Sequence, residues 1–221
     1  MLDAAGVSHV AHGESDPVQA AVEATAPAGL PLLAPAATWA GVTRDDEPGC
    51  EDAARHRGTV LRMVARDTVV AQRLSRLMSS TGRHALVVAG DHEYGRQLDG
   101  QLSLAGLARA DEPGDADVVV LAGLSDGPEI AHAADLAPLP VIAFDGVQRA
   151  QLGAGREVHL ALPFASSAAT TISAGGADER AAMLAELRRV GHFDAHGDPF
   201  DPPVWLWRAR DDWTLEPDEA I

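Results

Sequence analysis

Six short apolar runs, Val7–Val10, Leu30–Leu33, Ala85–Ala89, Val118–Ala122, Val141–Phe144 and Val158–Leu162, recur along the chain with helix-patterned segments between them. Short, mostly apolar runs of this kind fit strands, and their alternation with helices is the pattern of βαβ units around a parallel sheet. The expected fold class is therefore α/β. The intervening helices are expected over Pro17–Ala26, Thr68–Met78, Tyr94–Leu107 and Glu129–Leu136. Within Thr68–Met78, Val69, Leu74, Leu77 and Met78 make one broad apolar face, and Gly82 follows as a stop signal.

The pattern changes after Pro163. Residues 165–177 are small and polar and read as a connection. A helix is expected over Asp178–Val190, with Ala181, Leu184, Leu187 and Val190 along one side. Asp194–Asp198 then reads as a turn, and the aromatic strand Val204–Trp207 is expected to pair with Trp213–Leu215 as a closing hairpin. The acidic tail Glu216–Glu219 is expected to lie in solvent. The chain carries no internal repeat.

Charge narrows the partners. The net charge is −16, from 33 acidic residues against 17 basic ones, every one of them arginine. Such a surface repels phosphate backbones and anionic lipid, so nucleic acid and membrane surfaces are poor partners. No stretch approaches the roughly 20 apolar residues that span a bilayer. Met1–Val10 has neither the basic start nor the apolar run of an export signal, so the sequence as written is expected in the cytoplasm, with a fragment of an exported receptor as the alternative. The single cysteine, Cys50, closes no internal disulfide.

Signatures of catalysis are missing: there is no P-loop, no G-x-S-x-G elbow, no H-E-x-x-H and no paired CxxC. Gly153-Ala-Gly155 is a bare GxG and reads as turn chemistry. The histidines and carboxylates of His192–Asp198 could ligate zinc, yet Asp and Gly at this spacing also build a tight turn, which is the preferred reading. His9 and His12 straddle a strand end and make a poor ligand pair. Asp91-His92-Glu93 follows a strand, where catalytic groups sit, with no nucleophile beside it. No catalytic residue, metal or cofactor is assigned.

Ligands of parallel α/β sheets collect beyond the carboxyl ends of the strands. Those positions hold Ser15 after the first run, Ala36, Thr38 and Trp39 after the second, Tyr94 after the third, and Asp145 after the fifth. Hydroxyls and amides suit a carboxylate, and an acid suits an ammonium group, so the set fits an amino-acid-like zwitterion. Capping and turn formation are the competing roles for Ser15, Thr38, Tyr94 and Asp145.

The motifs Gly29-Leu-Pro-Leu-Leu-Ala-Pro-Ala-Ala-Thr38, Arg62-Met-Val-Ala-Arg-Asp67, Asp91-His-Glu-Tyr-Gly95, Phe144-Asp-Gly146 and Phe193-Asp-Ala-His-Gly-Asp198, in this order, resemble the type I periplasmic binding proteins of the leucine/isoleucine/valine-binding group. The resemblance implies two Rossmann-like lobes joined by three crossovers, closing over an amino acid. It implies lobe 1 from residues 1–62 and 163–191 and lobe 2 from residues 63–162 and 192–221. Ser15 matches the family's serine at the first helix start, Ala36 and Thr38 the backbone and hydroxyl contacts to the ligand carboxylate, Tyr94 the tyrosine of the second lobe, and Asp145 an acid for the ammonium group. The chain departs from the family in beginning after its first βαβ unit, which implies a reduced first lobe. It also lacks an aromatic wall after Gly123 and has a shortened passage between Pro163 and Asp178. Three functions stay open at this point: binding of a small polar molecule, an assembly role with a second copy or another partner, and an enzyme recruited onto the scaffold.

Overall fold

The computed structural model describes residues 9–10, 15–25, 27, 32–34, 37–44, 47, 50, 60–62, 64–123, 128–136, 138–144, 152, 156–162, 194, 196–199, 202, 204–209 and 215–220. The expected connection at 165–177 and helix at 178–190 lie outside these residues, as do Gly153–Gly155 and His192. The chain divides into two compact units, one from residues 1–66 and 163–203, the other from residues 67–162 and 204–221. Among the described residues no helix is long and apolar enough to cross a membrane.

The first unit holds three parallel strands in the order β1 (His9–Val10), β2 (Leu32–Ala34), β3 (Val60–Arg62), with helix α1 (Ser15–Thr25) between the first two. Val18 and Val22 of α1 share one buried cluster with Leu32, Ala34, Ala37, Val42 and Val60. Removing such side chains from water is what holds a helix on a sheet this small.

Arg62, the last residue of β3, is completely buried. A guanidinium cannot shed its charge, so every donor needs an acceptor. Nη1 donates to the Ala37 carbonyl, and Nη2 donates to the carbonyls of Trp39 and Ala40 and to Thr43 Oγ1 at 2.7, 3.2 and 2.8 Å. Nε donates to Asp198 Oδ1 at 3.0 Å. The same carboxylate accepts the Thr43 hydroxyl and Arg44 Nε, and lies 3.3 Å from Arg66 Nη1. One arginine therefore pins the segment after β2 and the distant residue Asp198 to the end of β3.

Residues 194–199 were expected in the second lobe; the structure places them in the first unit. The reason is this ion-pair network, together with a hydrogen bond from the Arg62 amide to the Gly197 carbonyl at 2.7 Å. The turn itself is of the expected kind. Asp194 Oδ1 accepts from the amides of His196 and Asp198 at 2.8 and 3.0 Å, and Gly197 takes a φ of +85°. The Asp194 and Asp198 carboxylates are both committed to Arg44.

In the second unit, six strands lie in the order β4 (Ala85–Ala89), β5 (Val118–Ala122), β6 (Val141–Ala143), β7 (Val158–Leu162), β8 (Trp205–Ala209), β9 (Leu215–Ala220). The first four are parallel and the last two antiparallel. All five residues of β5 are buried, as its uninterrupted apolar run requires. Helix α2 (Asp67–Thr81) ends at Gly82, whose φ of +66° lets the Arg83 amide reach back to the Met78 carbonyl. Helices α3 (Glu93–Leu104) and α4 (Pro128–Asp135) both pack on β4 and β5.

The carboxy-terminal region differs from expectation. Glu216–Glu219, read in the sequence as an acidic tail without regular structure, belong to β9, paired with β8 from Ala209↔Leu215 to Trp205↔Ala220. The partner strand supplies the backbone pairing that these residues would not seek from intrinsic preference.

Two outcomes are expected. Gly197→Ala places a Cβ in a left-handed conformation and against the Val60 carbonyl, so its unfolding free energy from urea denaturation should fall by more than the roughly 1–2 kcal/mol of backbone strain alone. For Asp198, burial pulls the carboxyl upward, but the Arg62 charge, the Thr43 and Arg44 hydrogen bonds and the Arg66 charge outweigh it and hold the group below its ordinary range. A depressed folded value means that its stabilisation is complete above the unfolded value of about 3.9 and is lost as pH falls through the folded one. Denaturation measured from pH 6 to pH 2 should therefore show a steeper loss below about pH 4 in the native chain than in Asp198→Asn.

Candidate functional site

The second unit has a topological reversal at β4. Ala85 forms a parallel bridge to Arg109 on one side of β4, flanked by hydrogen bonds with Ala108 and Ala110, while β5 pairs on the other side. The chain thus leaves β4 through α3 toward one flank and returns through β5 on the opposite flank. At such a switch point the connections diverge beyond the carboxyl ends of the two strands and leave a crevice where ligands of open α/β sheets bind.

Both strands end in glycine, Gly90 and Gly123. A Cβ at either position would run into the Glu129 carboxylate, and one at Gly90 would also meet His92. These two glycines make room for an acid from the first turn of α4 to lie across the strand ends. Glu129 is almost fully buried, and its Oε1 stands 3.0 Å from His92 Nε2.

His92 in turn caps α3: its Nδ1 accepts from the Gly95 amide at 3.1 Å. Gly95 leaves no space for a side chain against the backbone of Gly90, so the first turn of α3 sits directly on the end of β4. Tyr94 belongs to that turn, half-buried, its ring within 9° of parallel to the imidazole and its centroid 6.4 Å away. The candidate catalytic group His92 therefore has both ring nitrogens engaged. No lone pair is left on it to take a substrate proton in this arrangement.

In the first unit, Thr38 and Trp39 follow β2 in the segment whose carbonyls Arg62 holds. Thr38 is buried. Trp39 packs on the α1/β2 cluster, with its indole over Gly41, where a Cβ would collide with the ring. It is partly buried there, a packing role beside the ligand contact that the sequence offered. Ser15 is the first residue of α1 rather than the residue before it. Ala36 and Asp145 lie outside the described residues. Thus Thr38 and Trp39 are neighbours in one unit, while Tyr94 stands with Gly90, His92, Gly123 and Glu129 in the other. Among the described residues no group of three or more His, Cys, Asp or Glu could hold a metal.

Glu129 is the residue that sequence reading missed. It sits 37 positions from His92, and only the pairing of Gly90 with Gly123, one at each strand end, hinted at a shared occupant.

No family model and no curated protein matches the sequence. Solved structures do. An ABC transporter substrate-binding protein of Desulfitobacterium hafniense, also solved in complex with Leu, is similar with a TM-score of 0.61 at 18% identity, over 95% of this chain and 79% of its own. A leucine-binding protein of Thermotoga maritima gives 0.60 at 14% identity, over 96% of this chain and 79% of its own. A solute-binding protein of R. palustris in complex with benzoate gives 0.54 at 12% identity, over 93% of this chain and 75% of its own. At these identities the likeness is one of backbone. The two units, their parallel-dominated sheets and these neighbours together establish that the chain has the periplasmic-binding-protein-like I fold.

Proposed function

We propose that the chain binds a small polar molecule, an amino acid or a close derivative, and does not transform it. The observation that carries this reading is the end of the β4/β5 pair. There a switch point, two glycines and a helix-start tyrosine converge, while the histidine beside them, His92, is bonded at both nitrogens. The residues proposed as contacts are Ser15, Ala36, Thr38 and Trp39 of the first unit and, taken separately, Tyr94 and Asp145 of the second. Hydroxyls and backbone amides would take the ligand carboxylate, Tyr94 its flank, and Asp145 its ammonium group. Fold neighbours solved with Leu and with benzoate support a carboxylate-bearing ligand.

Thermal-shift titration with L-leucine, the other amino acids and benzoate tests the reading. A true ligand at a hundred times its dissociation constant adds about 2.7 kcal/mol, a rise in midpoint that is easily read. Thr38→Ala and Tyr94→Ala should each shrink that rise while leaving the unliganded midpoint nearer to the native value. No shift with any compound would sink the proposal.

A further inference from the structure

We propose that His92 is a positioning residue for Tyr94: held as a single tautomer between Gly95 and Glu129, its imidazole sets the plane of the tyrosine ring. The proposal deepens the ligand-binding reading, on which its consequence for affinity rests, but its structural content concerns Tyr94 alone.

The tautomer follows from the two partners. Gly95 donates a backbone N–H to Nδ1, so Nδ1 must carry the lone pair and the proton of the neutral ring must be on Nε2. Nε2 faces Glu129 Oε1 at 3.0 Å, an acceptor that wants that proton. Moving the proton to Nδ1 would set N–H against N–H at Gly95 and lone pair against carboxylate at Glu129, losing both bonds together. The two anchors belong to the first turns of different helices, α3 and α4, so the ring is fixed about its long axis as well as in position. Gly90 is what admits it, since a Cβ there would collide with Nε2.

Histidine is also an odd choice for this cap. Ser, Thr, Asp and Asn are the favoured N-caps and would satisfy the Gly95 amide as well or better. None of them reaches from the cap to Glu129 while presenting a flat face to residue 94. Histidine does both, and the Tyr94 ring lies within 9° of its plane. Among the described residues Asp91, Glu93 and Arg96 are the charged residues flanking His92 in sequence. Arg96 Nη1 donates to the Asp91 carbonyl and so braces the turn without touching the imidazole.

Tyr94 is the one tyrosine in the chain, so ring-labelled tyrosine reports this site without assignment. In the native protein, long-range 15N correlation should show His92 protonated on Nε2, the signal being identified by its absence from His92→Asn. His92→Asn keeps a capping side chain but loses the ring and the reach to Glu129; it should move the Tyr94 ring signals, as should Glu129→Ala. Glu129→Gln retains an acceptor for Nε2–H and should restore them close to their native positions. With L-leucine as probe, His92→Asn should weaken binding in the native background and have no further effect in Tyr94→Ala, the non-additivity expected of a residue that acts through another. Unmoved Tyr94 signals in both His92→Asn and Glu129→Ala, or a proton found on Nδ1 of the native protein, would overturn the proposal whatever binds. If no amino acid binds while the tyrosine signals respond as stated, the ligand reading fails and the positioning role stands.

Discussion

The first unit depends on a guanidinium with no access to water. Arg62 cannot neutralise itself by losing a proton, so its burial obliges the surrounding chain to come to it with oxygen. Three carbonyls of the segment after β2, one hydroxyl and one carboxylate do so. Thr38 and Trp39 lie in the segment so held, whose Trp39 and Ala40 carbonyls also accept the amides of Val42, Thr43 and Arg44. A segment fixed by its backbone leaves its side chains available for other work.

The second unit solves a similar problem at its strand ends with absence rather than presence. Gly90 and Gly123 carry no side chain, and into the space goes the Glu129 carboxylate, which would be costly there without a donor. His92 supplies the donor and at the same time closes the first turn of α3. The cap, the acid and the two glycines form one interlocked unit, and substitution at any one would be felt at the other three. Tyr94 inherits its position from that unit.

Where a segment's fate is set by its own residues, it was legible in the sequence. The runs Ala85–Ala89, Val118–Ala122 and Val158–Leu162 coincide with strands, and the uninterrupted apolar run of β5 is buried at every residue while β4 is buried only in part. The Asp194–Asp198 turn was also legible, because the Asp side chain and the left-handed Gly197 act locally. What could not be read were positions decided by distant partners. β3 is a three-residue strand ending in a charged side chain that becomes acceptable only once Asp198 arrives. The acidic stretch inside β9 has no strand preference of its own and is ordered by β8. Of the expected ligand contacts, Trp39 also has a packing role, partly buried, that its aromatic character allowed but did not announce. The acid beneath His92 came from a helix whose only visible signal was its apolar spacing.

The outer strand β9 has a consequence for the edge of its sheet. Among the described residues the sheet ends on Leu215–Ala220, a strand containing Glu216, Pro217, Asp218 and Glu219. A proline in this strand takes one N–H out of the backbone row that pairing with a further strand draws on. The strand that closes the described sheet is thereby an incomplete template for a further strand.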